Sequence, residues 1–575
     1  MKTLGINDGH NAAACLYADG RIAAAIQEER LRRVKNWAGF PAQAVRAVLE
    51  MTGTAAGEID AVAINGHYAA YPMTRDELME EYRTINDLTV TARRAIRGAM
   101  KRAAQPVGLY AAYRRRRQER RAAPFLQMGI PWDKISFVEH HTAHAAAAYY
   151  GWGQFTDPVL VLTCDGAGDG LCATVNIGRA GRLERLHAVP QADSIGNIYA
   201  MATFLLGMVP LEHEYKLMGL APYADPKGTE RVYQLLMPLV HFNHHAPLGW
   251  ERAPGCPDTY CSYRFFKSLF ERQRFDWVAG GLQKFTEHLL TEWVRRCVRI
   301  TGIGRVALSG GVFMNVKANK AIMELPEVEE LFVYPSCGDE TNAMGAAYWV
   351  YAQRAGVETM APLQDLYWGP QYTDEEIGRA AERFKFSASV QCSHSEPIEP
   401  RVAALLAEGK VVARFAGREE FGARALGNRS ILANPSDPAV VREINEAIKA
   451  RDFWMPFAPS MLAARNGQYV VNPKHVSSPY MILSFDTTDR RDDIRAAIHP
   501  FDFTARPQEV SAAWNPSYHA VLAEFERLTG IGGVLNTTFN LHGYPIVSSP
   551  EDALDVFDRS GLRYLAIGNW LVAKR

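Results

Sequence analysis

The apolar run Ile135-Ser136-Phe137-Val138 passes into the alanine-rich stretch Ala145-Ala146-Ala147-Ala148-Tyr149-Tyr150. A short apolar run predicts a strand and an alanine-rich run predicts a helix, so the two together read as strand, then helix. Similar patterns recur along the chain. Residues 3–30 predict a hairpin series: 3–7, a polar turn at Asp8-Gly9-His10-Asn11, then 12–17, with Ala18-Asp19-Gly20 turning into 21–26. Residues 159–162 predict a buried strand running into Asp165-Gly166-Ala167-Gly168-Asp169-Gly170, and 171–177 predict another. Ser194 leads a helix, 281–300 form an amphipathic one, and 305–309 form a strand before Gly310-Gly311 and a helix start near Asn315. From Ala355 to Tyr372 glycine, proline and aromatic residues follow no period, which predicts a linker. Periodicity then resumes, with 411–415 as a strand. The predicted division is 1–358, a linker at 359–378, and 379–575.

Composition narrows the classes. The 575 residues allow two or more domains with real cores. A hydrophobic content of 48% and a formal net charge of +0 describe an ordinary globular protein and give no bulk charge for nucleic acid. No apolar stretch approaches the roughly 18 residues of a membrane span. The first residues enter a strand rather than a signal peptide. The eight cysteines include no CxxC pair, which fits a reduced cytoplasm. Charge is uneven only in an insertion at about 75–123, where Arg93, Arg94, Arg97, Lys101, Arg102, Arg114-Arg115-Arg116-Arg117 and Arg120-Arg121 cluster. This is either a solvated helical face or a patch for an anionic acceptor, a lipid headgroup or a partner. His241, His244 and His245 have no thiol or carboxylate beside them and read as surface residues.

Candidate chemistry starts at His140 and His144. Four apart on a helix, they share one face about a turn apart, as two packed residues or as two ligands of one metal ion. Asp165 and Asp339 could complete a site, and such a set suits iron, manganese or zinc. His10 is a turn residue or a general base. Lys216, among glycine and small apolar residues, faces either solvent or a ligand. Paired glycines at Gly310-Gly311 let a backbone approach a nucleotide closely. With Asp8-Gly9, Asp165-Gly166 and Asp339-Glu340 they form the spaced strand-loop series of a two-lobed, actin-like fold. In the last third, Gly422-Ala423-Arg424, Arg429, Lys449, Arg506 and Leu535-Asn536-Thr537-Thr538-Phe539-Asn540 join cations to glycines and short polar side chains, as phosphate or carboxylate pockets do.

The ordered set Gly9-His10, His140-His141-Thr142-Ala143-His144-Ala145, Asp165-Gly166, Tyr215-Lys216-Leu217-Met218-Gly219-Leu220-Ala221, Gly310-Gly311-Val312, 422–430, Pro456-Phe457-Ala458-Pro459-Ser460 and 535–540 resembles the O-carbamoyltransferases that include the nodulation-factor, cephamycin and tobramycin enzymes. The resemblance implies an α/β chain with an actin-like (ASKHA) first domain similar to the tRNA threonylcarbamoyl transferase. It implies a second, YrdC-like α/β domain that makes carbamoyl-adenylate from carbamoyl phosphate and ATP. The first domain, with Fe(2+) or another divalent metal, would transfer the carbamoyl group to a hydroxyl of a sugar-containing small molecule, glycan or lipopolysaccharide. His140, His144, Asp165 and Asp339 would hold the metal, and His10 would be the base, with Lys449 and Arg424 also catalytic. Gly166, Lys216, Gly310, Gly311 and Asn315 would hold nucleotide. Arg424, Arg429, Lys449, Arg506, Asn536, Thr538 and Asn540 would hold substrate. One residue departs: Met455 stands where the tobramycin-type pattern has arginine. The resemblance allows a homodimer, and the basic insertion allows peripheral membrane association. The rival readings are a threonylcarbamoyladenosine-type tRNA-modifying transferase and a non-enzymatic actin-like ATP-binding regulator.

Overall fold

The computed structural model describes residues 1–68, 74–84, 92, 96, 109–242 and 246–575. By internal contacts the chain forms a first unit, Met1–Ala23 with Asn36–Leu363, and a second, Ala24–Lys35 with Gln364–Arg575. The hairpin series forms as β1 (Lys2–Asn7) and β2 (Ala13–Ala18) in the first unit and β3 (Arg21–Gln27), whose residues from Ala24 on are counted with the second. Asp19 and Gly20 both take positive φ, 52° and 77°, giving the two-residue turn whose twist matches its strands. β4 (Ala61–Asn65) and β5 (Ile135–Val138) complete a sheet of order β3-β2-β1-β4-β5, with β1 antiparallel to β2 and parallel to β4. A second sheet repeats the plan. β6 (Val159–Gly168), β7 (Leu171–Arg179) and β8 (Arg182–Pro190) are antiparallel. After a ribbon of β9 (Val240–Phe242) and β10 (Trp250–Arg252), β11 (Arg305–Ser309) and β12 (Glu330–Val333) join in parallel, in the order β12-β11-β6-β7-β8. One sheet plan used twice is the α/β core of an actin-like domain. β1, β2 and β4 are buried almost throughout, which is why they read as apolar runs rather than alternations.

In the second unit, β13 (Val390–His394), β14 (Val412–Phe415), β15 (Arg429–Ala433), β16 (Ala458–Leu462), β17 (Gln508–Val510), β18 (Gly533–Thr538), β19 (Tyr564–Ile567) and β20 (Trp570–Lys574) make one mixed sheet, ordered β13-β20-β19-β14-β15-β18-β16-β17. Alternate residues feed two cores: Val412 and Leu432 join Val402 and Phe525 on one face, while Ala413 and Ile431 join Leu554 and Phe557 on the other. The stretch read as a linker is ordered within this unit. Leu366 and Trp368 are buried, Tyr367 bridges to Glu420, and the helix Asp374–Arg383 begins inside it. Its lost periodicity reflects irregular backbone, packed in place.

The basic insertion is described only in part. Arg93, Arg94, Arg97, Lys101 and Arg102 lie outside the described residues, as do His244 and His245. On the helix Leu109–Gln127, Arg115, Arg116 and Arg120 are exposed. Arg121 departs from the solvated-face reading: it is buried, and its guanidinium donates to both carboxylate oxygens of Asp8 at 2.8 and 2.6 Å and to the carbonyls of Gly66 and Asn65. Among the described residues no helix is long and apolar enough to cross a membrane.

Two helices of the first unit meet at a point where only glycine fits. A Cβ on Gly345, in the helix Asn342–Ala355, would stand 1.9 Å from the Ala143 carbonyl oxygen. Gly345→Ala is therefore expected to destabilise the first unit by about 3 kcal/mol, read as a lower denaturant midpoint. An unchanged midpoint would show that the helices separate without cost.

Candidate functional site

The helix His140–Trp152 is capped by Glu139, whose carboxylate accepts from the His141 and Thr142 amides at 3.2 and 2.7 Å. Burial alone would raise this carboxyl, but Arg185 at 2.6 Å and the cap hydrogen bonds hold it down at about 2. The cap fixes the first turn, and one turn on the His140 and His144 rings lie 4.8 Å apart. Asp165 comes from β6, whose pairing with β7 shifts register between Cys164 and Gly168. Such a bulge re-aims a side chain that strict alternation would have fixed. The Gly311 amide donates to Asp165 Oδ1 at 3.1 Å, and Oδ2 lies 3.2 Å from His140 Nε2 and 3.9 Å from His144 Nε2. Asp339 opens the turn Asp339–Thr341 and sets Oδ1 3.5 Å from both imidazole Nε2 atoms.

These four ligand atoms lie within 4.8 Å of one another. Atoms bound about 2.1 Å from one ion lie roughly 3–4 Å apart, so the set fits one metal. Asp339 Oδ1 supports that fit, because it is buried and accepts no hydrogen bond. His144 Nδ1 faces Ser309 Oγ at 3.3 Å; with the proton on Nδ1, the Nε2 lone pair accepts from the Asn342 amide nitrogen at 3.1 Å, a bond that a metal ion would replace. Burial would lower the His140 imidazolium, yet Asp339 and Asp165 outweigh it and raise it to about 9. Asp165 responds in kind: burial would raise it, but His140 and His144 hold it well below the usual carboxylate range. His141 turns away to Thr163 Oγ1 at 2.8 Å, and burial, then the charges of His140 and His144, push it down to about 3. Two glycines make room. A Cβ on Gly168 would stand 2.0 Å from the His140 ring, and Gly310, at φ 112°, would meet the Cys164 carbonyl at 2.2 Å.

The loop carrying His10 is tied to this cluster. Asn7 donates to the His10 carbonyl at 2.7 Å, and Asn11 reaches Glu340, next to Asp339, at 3.5 Å. His10 itself is half-buried. Gly166, Gly310 and Gly311 gather around Asp165, and the chain at Gly196 packs against Gly166. Asn315 is spent structurally: it caps the helix Val316–Met323 through the Ala318 amide and exchanges hydrogen bonds with Gln283 at 3.0 and 2.9 Å. Lys216 lies half-buried on the helix Glu214–Leu220, which packs against the helix carrying Gln283. Sequence reasoning missed Gln283, Ser309 and the fastening role of Asp169, which accepts from the His67, Tyr68 and His140 amides. Only Ser309, beside the paired glycines, carried a local signal.

In the second unit Lys449 ends a π-turn, and Ala450 after it takes φ 44°, which turns the lysine inward. Its ammonium donates to Thr538 Oγ1 at 2.9 Å and to Asn540 Oδ1 at 2.6 Å. Burial, then Arg451 and Lys35, push Lys449 well below its ordinary value. Burial, then Arg424 and Arg451, do the same to Arg506. Lys449 and Arg506 each feel two further cations, with Arg451 common to both, an arrangement that suits an anion. Lys35, from the N-terminal segment, is a member that sequence reasoning did not place there. Met455 is half-buried on the same loop. Two expected binders are internal struts instead. Arg429 donates to the carbonyls of Ala416, Gly417, Asn428 and Pro370 and stacks on Phe415 at 3.7 Å. Asn536 ties the Ala425 carbonyl to Ser460 and Gln508.

The chain matches two family profiles, described as Carbamoyltransferase N-terminus over residues 2–348 and Carbamoyltransferase C-terminus over residues 403–574. It is 30% identical to Nodulation protein NolNO of Sinorhizobium fredii, over 98% of this chain and 79% of that one. It is 32% identical to Nodulation protein NolO of Bradyrhizobium diazoefficiens, over 76% and 79%. Among solved structures, component A of the (R)-2-hydroxyglutaryl-CoA dehydratase of Acidaminococcus fermentans is similar at 14% identity over 61% of this chain and 98% of that one, with a TM-score of 0.32, too low to argue from.

Purified protein is expected to hold one divalent ion per chain, and His144→Ala to weaken its binding at least about 100-fold. Elemental analysis after dialysis reads this directly. Equal metal retention in the variant would place the ion elsewhere.

Proposed function

The chain belongs to the carbamoyltransferase family, and on that premise we propose an ATP-dependent O-carbamoyltransferase acting on a sugar hydroxyl. The observation that carries the ATP-dependent step is the cation cluster in which buried Lys449 is joined by half-buried Lys35, Arg424, Arg451 and Arg506. A carbamoyl phosphate dianion beside it neutralises charges that otherwise repel, and pyrophosphate leaving ATP needs the same counter-charge. The balance is simple. Carbamoyl phosphate loses phosphate to water, the carbamate oxygen attacks the α-phosphorus of ATP, and pyrophosphate leaves as carbamoyl-adenylate forms. Thr538 and Asn540 fix the lysine that faces this chemistry.

In the transfer step the acceptor oxygen attacks the carbamoyl carbon, its proton passes to His10, and AMP leaves. His140, His144, Asp165 and Asp339 would hold Fe(2+), which supplies Lewis-acid charge stabilisation at oxygen. Gly166, Gly310 and Gly311 present backbone near Asp165, where the adenylate would lie. The exposed Arg115, Arg116 and Arg120 suit an anionic acceptor such as a charged glycan. A cytoplasmic setting is part of this proposal.

Pyrophosphate release without acceptor is expected only when carbamoyl phosphate is present. Lys449→Met should lower its kcat/KM by roughly 100-fold, while His10→Ala leaves it within about two-fold. Release with threonine and bicarbonate instead, or no release at all, would overturn the assignment. Met455→Arg adds a cation to the loop and is expected to lower the half-saturating carbamoyl phosphate concentration about ten-fold. Titration of the initial rate reads it, and an unchanged value would mean that the existing cations already saturate the phosphate.

A further inference from the structure

The second unit contains a piece of chain from the far N-terminus, Ala24–Lys35, and its role is not explained by the anion site alone. Arg30, at 1% exposure, lies inside this unit. Its guanidinium donates to Glu419 Oε1 at 3.2 Å, to Gln27 Oε1 at 3.3 Å and to the Gly422 carbonyl at 2.5 Å. Gln27 Oε1 in turn accepts from the Gly422 amide at 3.2 Å. Both backbone groups of Gly422, which sits at φ 99°, are therefore held by the N-terminal segment. Glu419 is fixed from its other oxygen by Ser548 at 2.5 Å.

Gly422 lies two residues before Arg424. On the far side of Arg424, Glu420 Oε1 accepts from the amides of Leu426, Asn428 and Arg429 at 2.6, 3.2 and 3.1 Å. The loop is closed from inside by Glu420 and clamped from outside by Arg30 and Gln27. The segment is itself anchored: the Ala25 amide donates to the Trp368 carbonyl at 3.2 Å, and Arg33 to the Ile546 carbonyl at 2.8 Å. A fork-shaped cation is needed because three acceptors in different directions must be met at once.

We infer that Arg30 and Gln27 are positioning residues for the adenylating site, setting the loop 417–430 so that Arg424 faces the bound anion. This rests on the adenylation reading above. It goes beyond that reading in making the N-terminal segment a working part of the second unit's site.

The test uses the full chain. Arg30→Lys keeps the charge that buried Glu419 needs but cannot meet three acceptors. It is expected to raise the KM for carbamoyl phosphate roughly ten-fold, with the KM for ATP and kcat within about three-fold. Hydrogen exchange should quicken over 417–430 while β14 and β18 keep their protection. Faster exchange across those strands as well would mean that Arg30 only keeps the unit folded, which overturns a positioning role, and Arg30→Met is run beside it to expose that case. Unchanged exchange at 417–430 also overturns it. If wild-type protein releases no pyrophosphate, the adenylation reading fails by itself, and exchange over 417–430 still decides whether Arg30 sets the loop.

Discussion

Two imidazoles and two carboxylates share a space too small for water to separate them, and much of the first unit's architecture serves to keep them there. Such groups would drift apart on a flexible surface, because each pair gains little in water. Here the distances are imposed from outside. The Glu139 cap sets the helix, the β6 bulge sets Asp165, the Gly311 amide holds one of its oxygens, and the turn at Asp339 presents the last ligand. Gly168 and Gly345 permit the close approaches that bring these elements together.

The second unit holds the opposite arrangement, in which cations act on one another: Arg451 and Lys35 on Lys449, Arg424 and Arg451 on Arg506. Burial first, and neighbouring cations second, displace Lys449 and Arg506 downward. Thr538 Oγ1 and Asn540 Oδ1, both uncharged, accept from the Lys449 ammonium and fix its position.

Much of this was legible in the chain. Apolar runs marked the buried strands, Asp19-Gly20 and Asp169-Gly170 marked turns while Asp165-Gly166 proved to lie inside β6, and the spacing of His140 and His144 marked a shared helical face. Asp165 was legible as a candidate but not its bulge, because a register shift depends on the partner strand. What stayed hidden depends on long-range closure. Nothing local in Gln27-Glu28-Glu29-Arg30 says that these residues complete a unit whose remaining chain begins at Gln364. Arg121, in a run of arginines, reads as solvated until the partner Asp8, far away in sequence, is brought to it. The stretch after Leu363 lacked periodicity because irregular backbone can be ordered by contacts that no short window contains.

Arginine chemistry shows why residue type and context alone misassign roles. Arg424 and Arg429 stand five apart in one glycine-rich motif, and both read as anion binders. Arg429, wholly buried, has its two terminal nitrogens committed to four carbonyls and its face to Phe415, so an anion at those nitrogens would have to break several hydrogen bonds to bind. Arg424 is half-exposed beside Arg506, where another positive charge disfavours the site until an anion arrives. The same logic separates Arg121, consumed by Asp8 and two carbonyls, from Arg116 and Arg120 on the outer face of its helix. Asn315 follows the pattern too, with both ends of its amide already taken. Donors already committed to the fold hold it together whatever their sequence motif suggests, and only three-dimensional closure shows which donors those are.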